Sequence, residues 1–312
     1  MLLLEVFFAN ACDVCGSFIG IHPGDRKSYV GVFYRYSSFS SSNPRGSSFF
    51  PDGGLRLTHD GHSTSALNSD QDYEVYRGVE WRAKYYVHSR VEVSLIVPFN
   101  FNTAFENSRQ VNVDGIGDIT TMVGWQAIDD LNIRKTKHRL LMGLGVKWAT
   151  GKSNEKRENT RLNIMIQPGS GSNDLLFFTN YQLGLGKWSW NVLPTFKLNG
   201  TNRFGEQIAN STTLFSSIAY QADINDNLKL IPAAQSYYEY MSGITVDKEK
   251  LNGTAMSGLY VGPGADVMYK NVGLNSSFWW NVYEDQSQSS MASRIRYRIG
   301  FTWYFNQQSF MF

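Results

Sequence analysis

The stretch from Arg294 to Phe312, RIRYRIGFTWYFNQQSFMF, constrains the fold more than any other part of the chain. Ile295, Tyr297, Ile299, Phe301, Trp303 and Phe305 share one parity, and Arg294, Arg296, Arg298, Gly300, Thr302 and Asn306 share the other, together with Tyr304. Successive side chains of a strand point to opposite faces, so this stretch reads as a β-strand with one apolar and one polar face. A strand of a soluble sandwich runs for about 5–6 residues. Alternation over about ten, with Trp and Tyr near one end, is the pattern of a strand that crosses an outer membrane. The aromatic Phe312 resembles the C-terminal signal read by the bacterial barrel-assembly machinery, which is therefore an expected partner, as is outer-membrane lipid.

The same alternation recurs upstream. It predicts strands over 29–39, 72–86, 91–102, 119–127, 140–148, 175–185, 188–198, 214–220, 228–240, 259–269 and 272–282. With the terminal strand this makes about twelve, an even number as single-chain bacterial barrels require. Connections alternate in length. Residues 40–71, 103–114, 151–173, 199–212, 241–254 and 284–291 are long, 87–90, 186–187, 222–227 and 270–271 are short, and 128–138 fits the short set poorly. Long loops on one side and short turns on the other are the arrangement of outer-membrane barrels, the long set extracellular. The expected fold is all-β, a transmembrane antiparallel up-and-down barrel in the outer membrane of a Gram-negative bacterium.

Composition agrees. Aromatics reach 14% and mean hydropathy is −0.31, and no apolar run approaches the roughly 18 residues of a membrane helix. A barrel stays this polar because only alternate residues face lipid. The formal charge of +2 and the lack of a basic run exclude a nucleic-acid partner.

Residues 1–11, ending in Ala9-Asn10-Ala11, resemble the tail of a signal peptide without its positive n-region. Residues 12–27 then form a periplasmic segment carrying Cys12 and Cys15, and 28–312 the barrel. Three readings of the cysteines stand: an acylated Cys12, a Cys12–Cys15 disulfide in an oxidising compartment, or a soft-metal site completed by a group such as His22. C-x-x-C without a following His excludes haem attachment.

Motifs that carry chemistry elsewhere do not complete here. Thr150-Gly151-Lys152-Ser153 lacks the upstream glycine of a phosphate loop, because position 146 is Val, and no helix is expected to follow. His62 and Ser63 in the long first loop could furnish a base and a nucleophile, but as sequence neighbours they lack the third group that orients such a pair. Asn68, Asp70, Asp72 and Glu74 offer oxygen ligands at alternate positions without the glycine turn of an EF-hand. We expect no catalytic residue, no metal and no cofactor.

The inward parity is charged. Arg294, Arg296 and Arg298 on the last strand share it with Arg35 on the first, which must pair with the last for the barrel to close. Buried charge needs partners, and Glu74, Glu80 and Glu92, with Arg82, lie inward on the second and third strands. These residues either prop the lumen or set a field for a permeating solute. Bulky inward Phe33, Tyr76, Tyr260 and Trp279 predict a narrow or plugged lumen.

Gly115-Ile-Gly117-Asp118, then Gly143-Leu-Gly145-Val-Lys-Trp-Ala-Thr150-Gly151, then Gln167-Pro-Gly169-Ser-Gly171-Ser-Asn-Asp174 follow one another near strand ends. This run, over roughly residues 110–220, resembles the outer-membrane family named for the meta-pathway of phenol degradation, with Ala149 where that family usually has Pro. The resemblance implies a transporter or channel for small organic, hydrophobic or aromatic compounds. Passive passage of a small-molecule solute is the expected function. The alternatives are a non-transporting barrel that partners a periplasmic metal or redox system, which would use Cys12 and Cys15, and an outer-membrane lipid hydrolase.

Overall fold

The computed structural model describes residues 27–41, 73–106, 109–130, 136–251, 254–285 and 291–305. Twelve long strands form one meander: β1 (Ser28–Ser41), β2 (Tyr73–His88), β3 (Val91–Glu106), β4 (Thr120–Asp130), β5 (Thr136–Lys147), β6 (Asp174–Leu185), β7 (Trp188–Leu198), β8 (Ser211–Tyr220), β9 (Leu228–Met241), β10 (Met256–Tyr269), β11 (Val272–Asp285) and β12 (Met291–Phe305). Each pairs antiparallel with its sequence neighbours, and β12 pairs with β1, so the twelve strands close into a barrel. The expected twelve-stranded all-β barrel is the observed fold.

Two connections differ from the sequence reading. The long connection after β3 is not all loop: Arg109–Ile116 returns along Phe99–Glu106, lengthening the wall by pairing rather than by irregular chain. The awkward stretch 128–138 largely disappears, because β4 runs to Asp130 and β5 begins at Thr136. The reason is a bulge between Gln126 and Ile128, which keeps the ladder going after strict alternation fails.

Parity sorts the two faces. Outward Val123, Leu144, Leu214 and Ile299 are exposed apolar residues. Tyr85, Trp188, Tyr269 and Trp303 ring the end with short turns, and Trp148, Trp280 and Tyr283 the end with long loops. An apolar belt between aromatic girdles is the exterior that a bilayer requires. Inward residues are buried, and Tyr29, Phe33, Leu141, Phe178, Phe215, Tyr237, Tyr260 and Tyr304 form one apolar cluster inside the barrel. Trp279 packs against this cluster. Phe33 and Tyr260 are each only 1% exposed, and Tyr76 meets Phe39 edge-on at 5.7 Å, so all four bulky residues expected inward do occupy the interior.

Candidate functional site: the barrel interior

The inward parity places charge where water is scarce, and the wall answers with pairing. Arg35 Nε lies 3.1 Å from Glu80 Oε1, and its Nη2 donates to Asn100 Oδ1 at 2.8 Å. Arg82 bonds the same Glu80. Lys84 stands 3.9 Å from Glu92, and Glu74 accepts from the Tyr76 hydroxyl at 3.1 Å. Glu74, Glu80, Arg82, Glu92, Arg296 and Arg298 are all buried, as their parity required. The Arg298 guanidinium lies 5.8 Å from the centre of the Phe33 ring and 5.9 Å from that of Trp279. The side chain of Arg294 lies outside what the structure describes, as do Cys12, Cys15, His62, Ser63, Asp70 and Phe312.

One pairing differs from expectation. The carboxylate that binds Arg296 is not Glu74, Glu80 or Glu92 but Glu239 on β9. Arg296 Nη1 donates to Glu239 Oε2 at 2.9 Å, and Nη2 donates to the Tyr260 hydroxyl at 2.9 Å. The hydroxyls of Tyr237 and Tyr260 donate to the two Glu239 oxygens at 3.0 and 3.1 Å. Glu239 is completely buried, and these donors satisfy it. The reason is geometric: curvature brings β9 within a side chain's reach of β12 across the interior, although two strands separate them along the wall.

A second polar cluster was not anticipated as a unit. Lys147 Nζ lies 2.8 Å from Asp174, 3.3 Å from Asp118 and 2.8 Å from Ser170 Oγ, while Lys197 lies 3.6 Å from Asp174. Asp118 Oδ1 accepts from the Gly151 N–H at 2.9 Å, and Oδ2 accepts from Ser170 N–H and Oγ–H at 2.7 Å each. Gly117, Gly151 and Gly169 meet here: a Cβ on Gly151 would lie 2.7 Å from the Gly117 carbonyl carbon and 2.8 Å from Gly169 Cα. The glycine motifs therefore serve close backbone approach, and their acidic members pin the connection between β5 and β6. The motifs were visible in sequence; that Asp118 and Asp174 share Lys147 was not.

That pinned connection turns inward. Asn100 and Asn102 donate to the carbonyls of Pro168 and Ile166 at 2.7 and 3.0 Å. Ile164 and Met165 are buried with Phe39, Ile208, Met241, Ile244 and Met256 in a second apolar cluster at the loop end of the barrel. The interior is thus constricted at its mouth by a loop and at mid-height by aromatic side chains.

A closed antiparallel wall, apolar outside between aromatic girdles and ion-paired within, defines the class: this chain has the fold of the outer-membrane β-barrels of Gram-negative bacteria. Two solved structures share it. An outer-membrane channel from Pseudomonas putida F1 is similar with a TM-score of 0.63 at 13% identity, covering 91% of this chain and 100% of that one. The beta domain of the Bordetella autotransporter Brka is similar at 0.50 and 9% identity, covering 90% and 100%. At these identities the likeness is one of fold. No family model and no curated protein matches the chain.

Proposed function

We propose that this chain is an outer-membrane channel for passive passage of small organic solutes. The observation that carries the reading is the interior. Replacing buried ion pairs by well-packed apolar residues is often neutral or stabilising, so a barrel serving only as an anchor or plug gains nothing from them. A polar path is their natural use. The similar fold of the Pseudomonas putida F1 channel, over that chain's full length, supports the same reading.

The charges also bear on selectivity. Arg35, Arg82, Lys84, Arg139, Lys147, Lys197 and Arg296 each stand within 4.0 Å of a carboxylate. Paired groups leave little net field, so Arg35, Glu80, Arg82, Glu92 and Arg296 act first as props that hold the lumen's shape. An uncharged solute suits such a lumen better than an ion. The motif resemblance to the phenol-degradation family points to the same solute class. Single-channel recording in planar bilayers tests the proposal. We expect small discrete conductance steps with weak ion selectivity; folded, heat-modifiable barrel that gives no steps at any voltage would defeat it.

A further inference from the structure

The outward face changes chemistry row by row where the closing seam approaches the long loops. One row across five neighbouring strands holds Ile299, Tyr34, Val79, Phe99 and Ile116, all apolar or aromatic. The next row toward the loops holds Tyr297, Tyr36, Arg77, Phe101 and Asp114. Beyond it stand Ser38, Val75, Thr103 and Asn112. The apolar belt ends where charge and amide begin, so the row of Arg77 lies at the boundary between acyl chains and headgroups. Long loops are extracellular in such barrels, which places Arg77 in the outer leaflet. Among the described side chains of β1, β2, β3 and β12, no other Asp, Glu, Lys or Arg has the outward parity.

Arg77 is exposed, and it is held rather than paired. Its Nη2 donates to Thr103 Oγ1 at 3.0 Å, and Thr103 is buried. Among the described residues that is its one hydrogen bond; no carboxylate pairs with it and it stacks on no ring. Asp114 shares the row but stands two strands away, roughly 10 Å at the ordinary strand spacing. Rings frame the position. Tyr36 and Tyr297 stack at 4.9 Å on one side, and Phe99 and Phe101 meet at 5.0 Å on the other. Toward the loops, Tyr73 and Phe105 stack at 5.3 Å.

These features select a ligand. An arginine on the lipid face is costly at mid-bilayer and tolerated at the interface, where headgroups reach it. A guanidinium presents parallel N–H donors that match two phosphate oxygens, and it is less strongly hydrated than an ammonium. With Nη2 held by Thr103, the fork is in place before a ligand arrives, which lowers the cost of binding. The apolar row beneath accepts acyl chains, and the ring pairs border the headgroup as interfacial aromatics do. An uncharged lipid would leave the fork unused. We propose that Arg77 is the centre of an outer-leaflet lipid site, which takes the phosphate of an anionic headgroup against the outer wall beside the closing seam. The proposal concerns the barrel's outer surface and does not depend on whether the lumen conducts.

Native mass spectrometry of the full chain in detergent reads lipid adducts directly. The probes are phosphatidic acid, diacylglycerol with the same acyl chains, and inorganic phosphate. We expect phosphatidic acid to bind at least fivefold more tightly than diacylglycerol, and excess inorganic phosphate not to displace it. Arg77→Gln should bring phosphatidic acid to the affinity of diacylglycerol, with heat-modifiability as in the parent. Thr103→Val, which frees the guanidinium without removing it, should give an intermediate loss. Lys152→Gln removes another exposed cation at the loop end and should bind as the parent does. Unchanged affinity in Arg77→Gln would overturn the site. Equal losses in Lys152→Gln and Arg77→Gln would also overturn it, leaving a general attraction to a basic rim. Displacement by inorganic phosphate would overturn it as well, leaving a site for free anions.

Discussion

Between β12 and β1 the ladder runs from Ser28 opposite Phe305 to Ser41 opposite Met291, with one irregularity beyond Ser37. Between β6 and β7 it is interrupted at mid-height by Pro194. The closing seam also sets Arg35 directly opposite Arg298, and like charges facing one another across a ladder destabilise it. Its stability is drawn from elsewhere: Glu80 on β2 holds Arg35, and Glu239, across the interior, holds Arg296. The β6–β7 seam is bridged by Lys197 and Asp174 at 3.6 Å, three residues along β7 from Pro194. The strands of one seam lean on ion pairs to β2 and β9, whereas the other has a single pair near its loop end and otherwise only its ladder. Where the twelve strands close on one another, local softness comes from a missing donor rather than from a free edge.

Removing the brace should produce the largest effect. Glu239→Ala leaves Arg296 buried without its carboxylate, and breaking a buried pair from one side costs on the order of 3–5 kcal/mol. Urea unfolding of the barrel in detergent, followed by heat-modifiability, should show that loss, and Pro194→Val should show none. If Glu239→Ala unfolds with the parent, the closing seam is not braced as described.

The loop latch should give less. Asp118→Asn keeps the shape of the side chain, yet its amide cannot accept from Gly151, Ser170 and Lys147 together. Leaving buried donors unmet costs about 1–3 kcal/mol. The loss is local, so we expect faster trypsin cleavage after Lys152 and Arg157 with little change in global unfolding. Cleavage at the parent rate would mean that the connection between β5 and β6 is held by its apolar residues alone.

The smallest effect lies at the short turns. The exposed Asp223 carboxyl accepts from Gln221 at 2.8 Å and meets Lys187 at 3.2 Å, and these partners hold it below the ordinary carboxylate range. A depressed folded-state value contributes stability above the unfolded-state value and loses it as pH falls through the folded one. Asp223→Asn should therefore lower stability slightly at neutral pH, the difference from the parent vanishing as pH falls through the folded-state value, and physiological salt should mute even that. A difference that persists undiminished in acid would contradict the assignment.

How far these features were legible in the sequence depends on their range. Parity alone placed Arg35, Glu80, Arg296 and Ile299, because an alternating strand has two faces and lipid claims one. It could not pair Arg296 with Glu239, since contacts across a lumen depend on curvature that no local pattern encodes. Ile164-Met165-Ile166 was a signal left unread: an apolar run inside a long polar loop is how a loop folds inward. Pro194 was visible as a proline within a strand. Which neighbour loses its hydrogen bond follows only from the register.

The comparison of the two seams is tested most directly by residue-resolved hydrogen exchange on the folded barrel in micelles. The account predicts that the amides of Thr179, Tyr181 and Val192, which flank the Pro194 gap, exchange at least tenfold faster than those of Tyr34, Tyr36 and Ile299 at the closing seam. Equal protection at the two seams, or slower exchange beside Pro194, would contradict it.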